Sequence, residues 1–289
     1  MKLSIIVLSY NTRNVTKTCI QSIKKQYQHE LDSGEFEIIF VDNASTDGTI
    51  KEIQNLSLER EFKIIQNAEN VGFSKGCNIG AKNAKGEYLF FLNSDTEVQD
   101  RGLLGMITYL NAHEKTGVLG GKLRNVDGSS QPSAGKFYTL WNIFLILFGG
   151  EKLGLLRVSP DEIREVDWVS GASLMIRRDF FEKLGGFDEH FFMYVEDMEL
   201  CFRIKKSRST VYFYADVEII HRELASGNRT FAILQIYKGL LYFYKKHNAY
   251  WQYILVKVLL IIKAVVAICI GILSGNTYLK NTYRKALSL

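Results

Sequence analysis

The residues best able to do chemistry stand at the ends of apolar runs. Glu87-Tyr-Leu-Phe-Phe-Leu-Asn-Ser-Asp95 stays apolar until Asn93, Ser94 and Asp95 close it. A carboxylate at the tip of a buried strand can hold a hard divalent cation, which in turn can hold a diphosphate. The other reading is an Asp that caps the following helix. Glu196 and Asp197 are adjacent carboxylates opening an amphipathic stretch that runs to Arg203. Asp197 suits a general base, which needs a carboxylate held at a cleft. The pair also suits a purely electrostatic role at a helix N-terminus, and Glu199 with Arg203 reads as an i,i+4 ion pair. His221 ends the run Val211–Ile220, ahead of the turn Ser226-Gly227-Asn228, and reads as a structural residue or a ligand.

These residues need strands to carry them. Leu3–Leu8, Phe36–Val41, Phe62–Gln66 and Glu87–Asp95 are short apolar runs bounded by polar or glycine residues. Such runs read as strands buried on both faces. Helical patterns alternate with them: Asn14 or Thr16 starts one towards Gln26, and another carries Gly72, Gly76 and Gly80 on one face. Those glycines permit close approach of a ligand or tight packing of the helix on the sheet. The alternation predicts an α/β fold, a mostly parallel sheet with helices on both faces. Three polar strand tips then meet at one edge: Ser9–Asn11, Asp42–Asn43 and Asn93–Asp95. Ligands of open α/β sheets bind beyond such carboxyl ends, which points to a nucleotide. The chain has no G-x-G-x-x-G and no G-x-x-x-x-G-K-[ST], which disfavours dinucleotide redox chemistry and a P-loop.

Further along, Arg101–His113 reads as a helix and Val118–Leu123 as a strand. Phe137–Phe148 is too short to span a bilayer and reads as a buried helix or an apolar flap near lipid. Val166–Arg177 reads as a turn into a strand, followed by a short helix capped by Asp179. From Phe231 onward the pattern is helical. Trp251–Leu273 is strongly apolar but holds Lys257 and Lys263, and basic residues flank it on both sides. It reads as an interfacial helix pair on an anionic membrane with snorkelling lysines, or as a buried helix of a homo-oligomer interface. Residues 1–228 are expected to form one domain, with halves 1–123 and 124–228, and residues 229–289 a membrane-associating region.

Composition narrows the class. The 289 residues carry a net charge of +5, too mild to argue for nucleic acid without a clustered patch. Cys19, Cys77, Cys201 and Cys269 are far apart, which suits a reducing compartment rather than a zinc site or disulfide framework. Strand-forming residues from Leu3 leave no room for a signal peptide.

Six segments, in order, resemble family 2 glycosyltransferases, the inverting GT-A group. They are Ser4-Ile-Ile-Val-Leu-Ser-Tyr-Asn11, Val41-Asp-Asn-Ala-Ser-Thr-Asp-Gly48, Asn70-Val-Gly-Phe-Ser-Lys-Gly-Cys-Asn-Ile-Gly80, Phe91-Leu-Asn-Ser-Asp95, Gly185-Gly-Phe-Asp188 and Glu196-Asp-Met-Glu-Leu-Cys-Phe-Arg203. Within the family the chain most resembles rhamnosyltransferase-like enzymes of bacterial polysaccharide assembly.

The resemblance implies a GT-A fold and a role for each matched residue. Asp42 would hydrogen-bond a pyrimidine, and Ser9, Asn11 and Asn70 would belong to the nucleotide-sugar site. Asn93-Ser94-Asp95 stands where the family has D-x-D: Asp95 would ligate Mn2+ or Mg2+, and Asn93 would face the ribose. His221 would complete the metal or diphosphate site. Asp197, beside Glu196, would be the catalytic base, and Trp168, Gly171 and Ala172 would border the acceptor. Two residues depart from the family pattern: Asn93 replaces an Asp, and Cys77 stands where many members carry Arg. The implied partners are a dTDP- or UDP-sugar, with dTDP-rhamnose preferred, and a lipid-linked glycan at the cytoplasmic membrane face. The rivals are a nucleotidyltransferase, for which Ser9-Tyr10-Asn11-Thr12-Arg13 lacks the glycines, and a silent scaffold subunit, which would have no use for both Asp95 and Asp197.

Overall fold

The computed structural model describes residues 1–56, 62–147, 156–223 and 229–289. In chain order the elements begin with β1 (Leu3–Ser9), α1 (Arg13–Asp32), β2 (Phe36–Asp42), α2 (Thr49–Gln54), β3 (Phe62–Gln66), α3 (Phe73–Lys82) and β4 (Tyr88–Asn93). They continue with β5 (Thr96–Val98), α4 (Gly102–Ala112), β6 (Thr116–Arg124), β7 (Ser130–Gln131), β8 (Ala134–Gly135), α5 (Leu140–Leu147), β9 (Arg157–Val158), β10 (Arg164–Glu165), β11 (Trp168–Val169) and β12 (Ser173–Arg177). The last are α6 (Arg178–Lys183), α7 (Glu196–Lys206), β13 (Thr210–His221), α8 (Arg229–His247), α9 (Tyr250–Leu273) and α10 (Thr277–Ala286).

The main sheet has the order β10-β13-β6-β12-β4-β1-β2-β3. The first four strands of the chain pair in parallel, as the alternating pattern predicts. β1, β2 and β4 are buried on both faces because helices cover the sheet, whereas β3, expected to be buried as well, is the edge strand and exposes Lys63 and Gln66. Phe36, Phe40, Phe90 and Phe91 are fully enclosed. Gly76 and Gly80 serve this packing. A methyl group at either would come within 2.5 Å of Leu8 or Ile6, so α3 lies directly on β1. The tight-packing reading of these glycines therefore holds.

The sheet is mixed rather than uniformly parallel. β12 runs antiparallel between β4 and β6. Apolar periodicity marks a strand but carries no direction, so its sense was not legible from the sequence. The consequence reaches the site: Ser173 pairs with Leu92, and the start of β12 lies at the edge where β4 ends. Asp179 is not the cap of the short helix. Arg177 holds that position, and Asp179 lies in the first turn with Oδ1 accepting the Phe180 amide. α1 extends past Gln26 to Asp32 through a kink at Tyr27.

The chain divides into two compact units. The first comprises Met1–Gly135, Val158–Phe192 and Glu196–Ser226, and the second Lys136–Arg157, Met193–Val195 and Gly227–Leu289. In the second unit, α5, α8 and α10 pack on α9. Of the three C-terminal helices, α9 alone is apolar along its length, so the expected pair of apolar helices resolves into one. It continues through Lys257 and Lys263, and its 24 residues are long and apolar enough to cross a membrane by length and composition. Its buried positions Val256, Leu260, Ala264, Ala267 and Gly271 fall on one stripe. Opposite that stripe, Ile254, Val258, Ile261, Ile262 and Val265 are exposed.

Candidate active site

Parallel pairing sets Ser9 beside Asp42 and Leu8 beside Asn93. The three polar tips therefore share one sheet edge, as expected. Asp42 is fully buried there. Its Oδ2 accepts the Ser45 amide at 2.8 Å, while Oδ1 has no partner. A buried acceptor left unpaired costs about 1–3 kcal/mol, which a ligand donor would recover.

Hydroxyls line the neighbouring surface. Ser9 Oγ bonds Thr12 Oγ1 at 2.8 Å and Thr16 Oγ1 at 3.1 Å, and Thr12 Oγ1 bonds Ser94 Oγ at 3.1 Å. Asn11 adopts a left-handed φ of 54°. Its amide donates to Ser45 Oγ at 2.8 Å and its Oδ1 accepts the Thr46 amide at 2.8 Å, so Asn11 fastens the loop after β2. Asn70 is likewise a clasp: its Oδ1 accepts from Asn43 Nδ2 at 3.2 Å and from the Gly72 amide at 3.1 Å. Asn43 and Asn67 complete that clasp at 2.8 Å. Their role was not visible in the sequence, because a lone Asn in a loop gives no sign of its partner.

Asp95 lies two residues past the end of β4, and β5 then turns back to pair Thr96 with His221 of β13. This brings His221 Nε2 to 3.3 Å from Asp95 Oδ1 and 3.4 Å from Asn93 Nδ2. Gln131 Oε1 sits 2.7 Å from the other ring nitrogen. One carboxylate and one imidazole suit a cation that keeps its other positions for phosphate oxygens and water, as Mg2+ and Mn2+ do. Among the described residues no cluster of three or more His, Cys, Asp or Glu side chains could hold a metal unaided. The donor set therefore fits a cation completed by a substrate diphosphate. The expected Ser226-Gly227-Asn228 turn lies outside the described residues.

Glu196 and Asp197 begin α7. Two left-handed residues, Tyr194 and Val195 at φ 69° and 72°, precede them. Such conformations cost about 1–3 kcal/mol each and gather at functional sites. Asp197 Oδ2 accepts the Gly171 amide at 3.1 Å, and Oδ1 accepts the Met198 amide at 2.7 Å. The adjoining Ala172 carbonyl accepts the Asn93 amide at 3.2 Å. One dipeptide, Gly171-Ala172, thus ties the candidate base to the Asn93–Asp95 tip. Trp168, in β11, is buried.

The two carboxyls of the Glu196–Asp197 pair stand in different surroundings. Glu196 is buried, its Oε2 lacks a partner, and burial together with the neighbouring Asp197 charge holds it well above the usual carboxylate range. Asp197 stands beside it at the start of α7, where the helix N-terminus favours a negative charge. Cys77 is buried nearby, and burial followed by the charge of Glu196 raises its thiol well above the ordinary value. Glu199 forms the expected pair with Arg203 at 2.8 Å, and Arg203 also donates to the Leu184 and Gly186 carbonyls. Asn78 was missed as a site-building residue. It accepts the Phe187 amide and donates to the Phe187 carbonyl, both at 2.9 Å, which pins the Gly185–Asp188 loop.

The family model described as Glycosyl transferase family 2 matches residues 4–185. The N-acetylglucosaminyl-diphospho-decaprenol L-rhamnosyltransferase of Mycobacterium tuberculosis is 26% identical over 219 residues, covering 66% of this chain and 68% of that protein. The low-salt glycan biosynthesis hexosyltransferase Agl10 of Haloferax volcanii is 25% identical over 249 residues, 81% of this chain and 72% of that protein. Among solved structures, GalNAc-T7 with UDP, GalNAc and Mn2+ aligns with a TM-score of 0.63 at 18% identity over 84% of this chain and 50% of that one. Staphylococcus aureus TarS 1-349 in complex with UDP aligns with a TM-score of 0.58 at 17% identity over 100% of this chain and 90% of that one. At these identities the likeness to solved structures is one of fold, and the fold is GT-A-like.

Proposed function

This chain belongs to glycosyl transferase family 2 and is a glycosyltransferase, and from that premise we propose that it moves L-rhamnose from dTDP-rhamnose to a lipid-linked glycan with inversion. The observation that carries the mechanism is the Gly171-Ala172 link between Asp197 and Asn93. It sets a base and a diphosphate-binding tip around one short piece of backbone.

Asp42 Oδ1 accepts from the pyrimidine, and the Ser9, Thr12 and Ser94 hydroxyls border the nucleoside with Asn93 at the ribose. Asn11 and Asn70 act by holding the loops that frame it. Asp95 and His221 would hold Mn2+ or Mg2+, whose charge offsets that of the departing diphosphate. Asp197 takes the proton of an acceptor hydroxyl, and the oxygen attacks the anomeric carbon opposite the leaving group. Trp168, Gly171 and Ala172 border the acceptor. A positioned carboxylate base contributes about 10²–10⁴-fold. Transfer from radiolabelled dTDP-rhamnose to a polyprenyl-diphosphate-linked sugar tests this reading. No transfer and no donor hydrolysis would instead favour a silent scaffold. A UDP-hexose donor is the second reading, supported by the likeness to TarS, which was solved with UDP.

The lipid-linked acceptor accords with a relative that acts on a decaprenol diphosphate. In our reading residues 1–228 are the catalytic domain, and α9 lies along an anionic membrane at its cytoplasmic face. At about 100° per residue, Lys257 and Lys263 fall on the two borders between the buried stripe of α9 and its exposed apolar face. Lysines on both rims of an apolar face suit a helix lying in the membrane plane, with the charged heads at the headgroups. Exposed Trp141, Tyr250 and Trp251 add aromatic residues suited to that interface.

A further inference from the structure

The hairpin between β6 and β7 carries a one-way chain of hydrogen bonds that ends on His221. It starts at Asp127, whose ionised carboxylate can only accept. Ser129 Oγ donates to Asp127 Oδ1 at 2.6 Å, which leaves its lone pairs to accept from Asn125 Nδ2 at 2.9 Å. Asn125 is thereby oriented with Oδ1 towards Gln131, whose Nε2 donates to it at 3.0 Å. Gln131 then turns Oε1 to His221 Nδ1, 2.7 Å away. An amide oxygen accepts and does not donate, so Nδ1 carries the proton. In the neutral ring Nε2 is a lone pair, and it faces Asp95 Oδ1 at 3.3 Å. Two acceptors at that distance repel unless a positive charge joins them.

The chain is well braced. The Asn125 amide donates to the Ser129 carbonyl and the Gly128 amide to the Asn125 carbonyl, both at 2.9 Å. Gly128 supplies the left-handed φ of 83° that closes the turn. Gln131 is buried and paired with Leu123, so its amide has little freedom to swing.

We propose that Gln131 is a positioning residue: the Asp127–Ser129–Asn125–Gln131 chain holds neutral His221 as the Nδ1–H tautomer and reserves Nε2 for a divalent cation shared with Asp95. This rests on the metal-site reading above. Partners of the second ring nitrogen of a metal-bound His fix its tautomer, and their loss typically costs about 10–100-fold in affinity.

Two measurements test it. In protein labelled with 15N-histidine, without added metal and at a pH where the ring is neutral, His221 is expected to carry its proton on Nδ1. An Nε2–H tautomer overturns the proposal. Mn2+ affinity with dTDP present, read from the EPR signal of the free ion against a protein-free dTDP control, is expected to fall about 10–100-fold in Gln131→Met and to stay near wild type in Gln131→Glu, which keeps the acceptor. Equal Mn2+ affinity in wild type and in folded Gln131→Met overturns this inference alone. Wild type that binds no more Mn2+ than the dTDP control overturns the metal-site reading as well. Should Gln131→Met fail to fold, the wild-type tautomer still decides.

Discussion

Asp95 Oδ1 lies 3.3 Å from His221 Nε2, and the antiparallel pairing of Thr96 with His221 across β5 and β13 puts it there. The contact joins the first half of the sheet to its last strand. A three-residue strand immediately after the β4 tip thus determines which distant side chain faces the carboxylate. Asp95 also accepts the Arg222 amide through its carbonyl at 3.0 Å, so its backbone is fixed from the same side.

Asp197→Asn keeps the shape of the side chain and removes its basicity. We expect kcat to fall by about 10²–10⁴-fold while the donor Kd, measured by calorimetry, stays within a few-fold of wild type. Equal loss of binding and turnover would remove Asp197 from the role of base.

Glu196 gives a prediction about stability and pH. Its folded pKa is raised above the unfolded value, so the folded state binds the extra proton. Stability attributable to this group is full below the ordinary value of 4.5 and is lost as pH rises through the folded pKa. Glu196→Gln removes that loss. The Tm difference between variant and wild type should therefore move in favour of the variant from pH 5 to pH 8. A difference that does not change with pH would show that Glu196 ionises normally.

Arg203 and Glu199 form a buried ion pair whose guanidinium also holds two loop carbonyls. Glu199→Ala leaves that cation without its counter-charge and should cost about 3–5 kcal/mol in urea unfolding. A loss below about 1 kcal/mol, the range of an exposed pair, would contradict this.

Gly72 has a φ of 84°, and a methyl group there would lie 2.4 Å from the Phe192 carbonyl oxygen. Gly72→Ala should destabilise the protein by more than about 1 kcal/mol in the same measurement. It should also weaken nucleotide binding, since Gly72 anchors the Asn43–Asn70 clasp.

If α9 lies on an anionic surface, Lys257→Glu with Lys263→Glu should reduce co-flotation with vesicles containing phosphatidylglycerol and leave the weaker binding to neutral vesicles little changed. Unaltered flotation of the double variant would contradict the assigned role of the rim lysines.

Much of this site could be read before the fold was known. Apolar runs that stop at Ser9, Asp42 and Asn93 announce parallel strand tips, and parallel neighbours bring their tips to one edge. Asp197 stood out because two carboxylates open a helix. Asn67, Asn78 and Gln131 did not stand out. Each is a single polar residue whose partner is chosen by tertiary packing, and no local pattern encodes that choice. The direction of β12 was hidden for a related reason, although it is what delivers Gly171 and Ala172 to Asp197 and Asn93. Asn11 and Asn70 were expected at the ligand, yet their side chains hold loops together. Motif position alone does not separate these two roles.

The most direct test of the central claim is calorimetric titration of the 289-residue chain with dTDP-rhamnose and a panel of UDP-sugars, with and without Mn2+. The expected result is binding of one pyrimidine nucleotide-sugar that tightens at least tenfold with Mn2+ and loses that increment in Asp95→Asn. Binding of no pyrimidine nucleotide-sugar under either condition would contradict it.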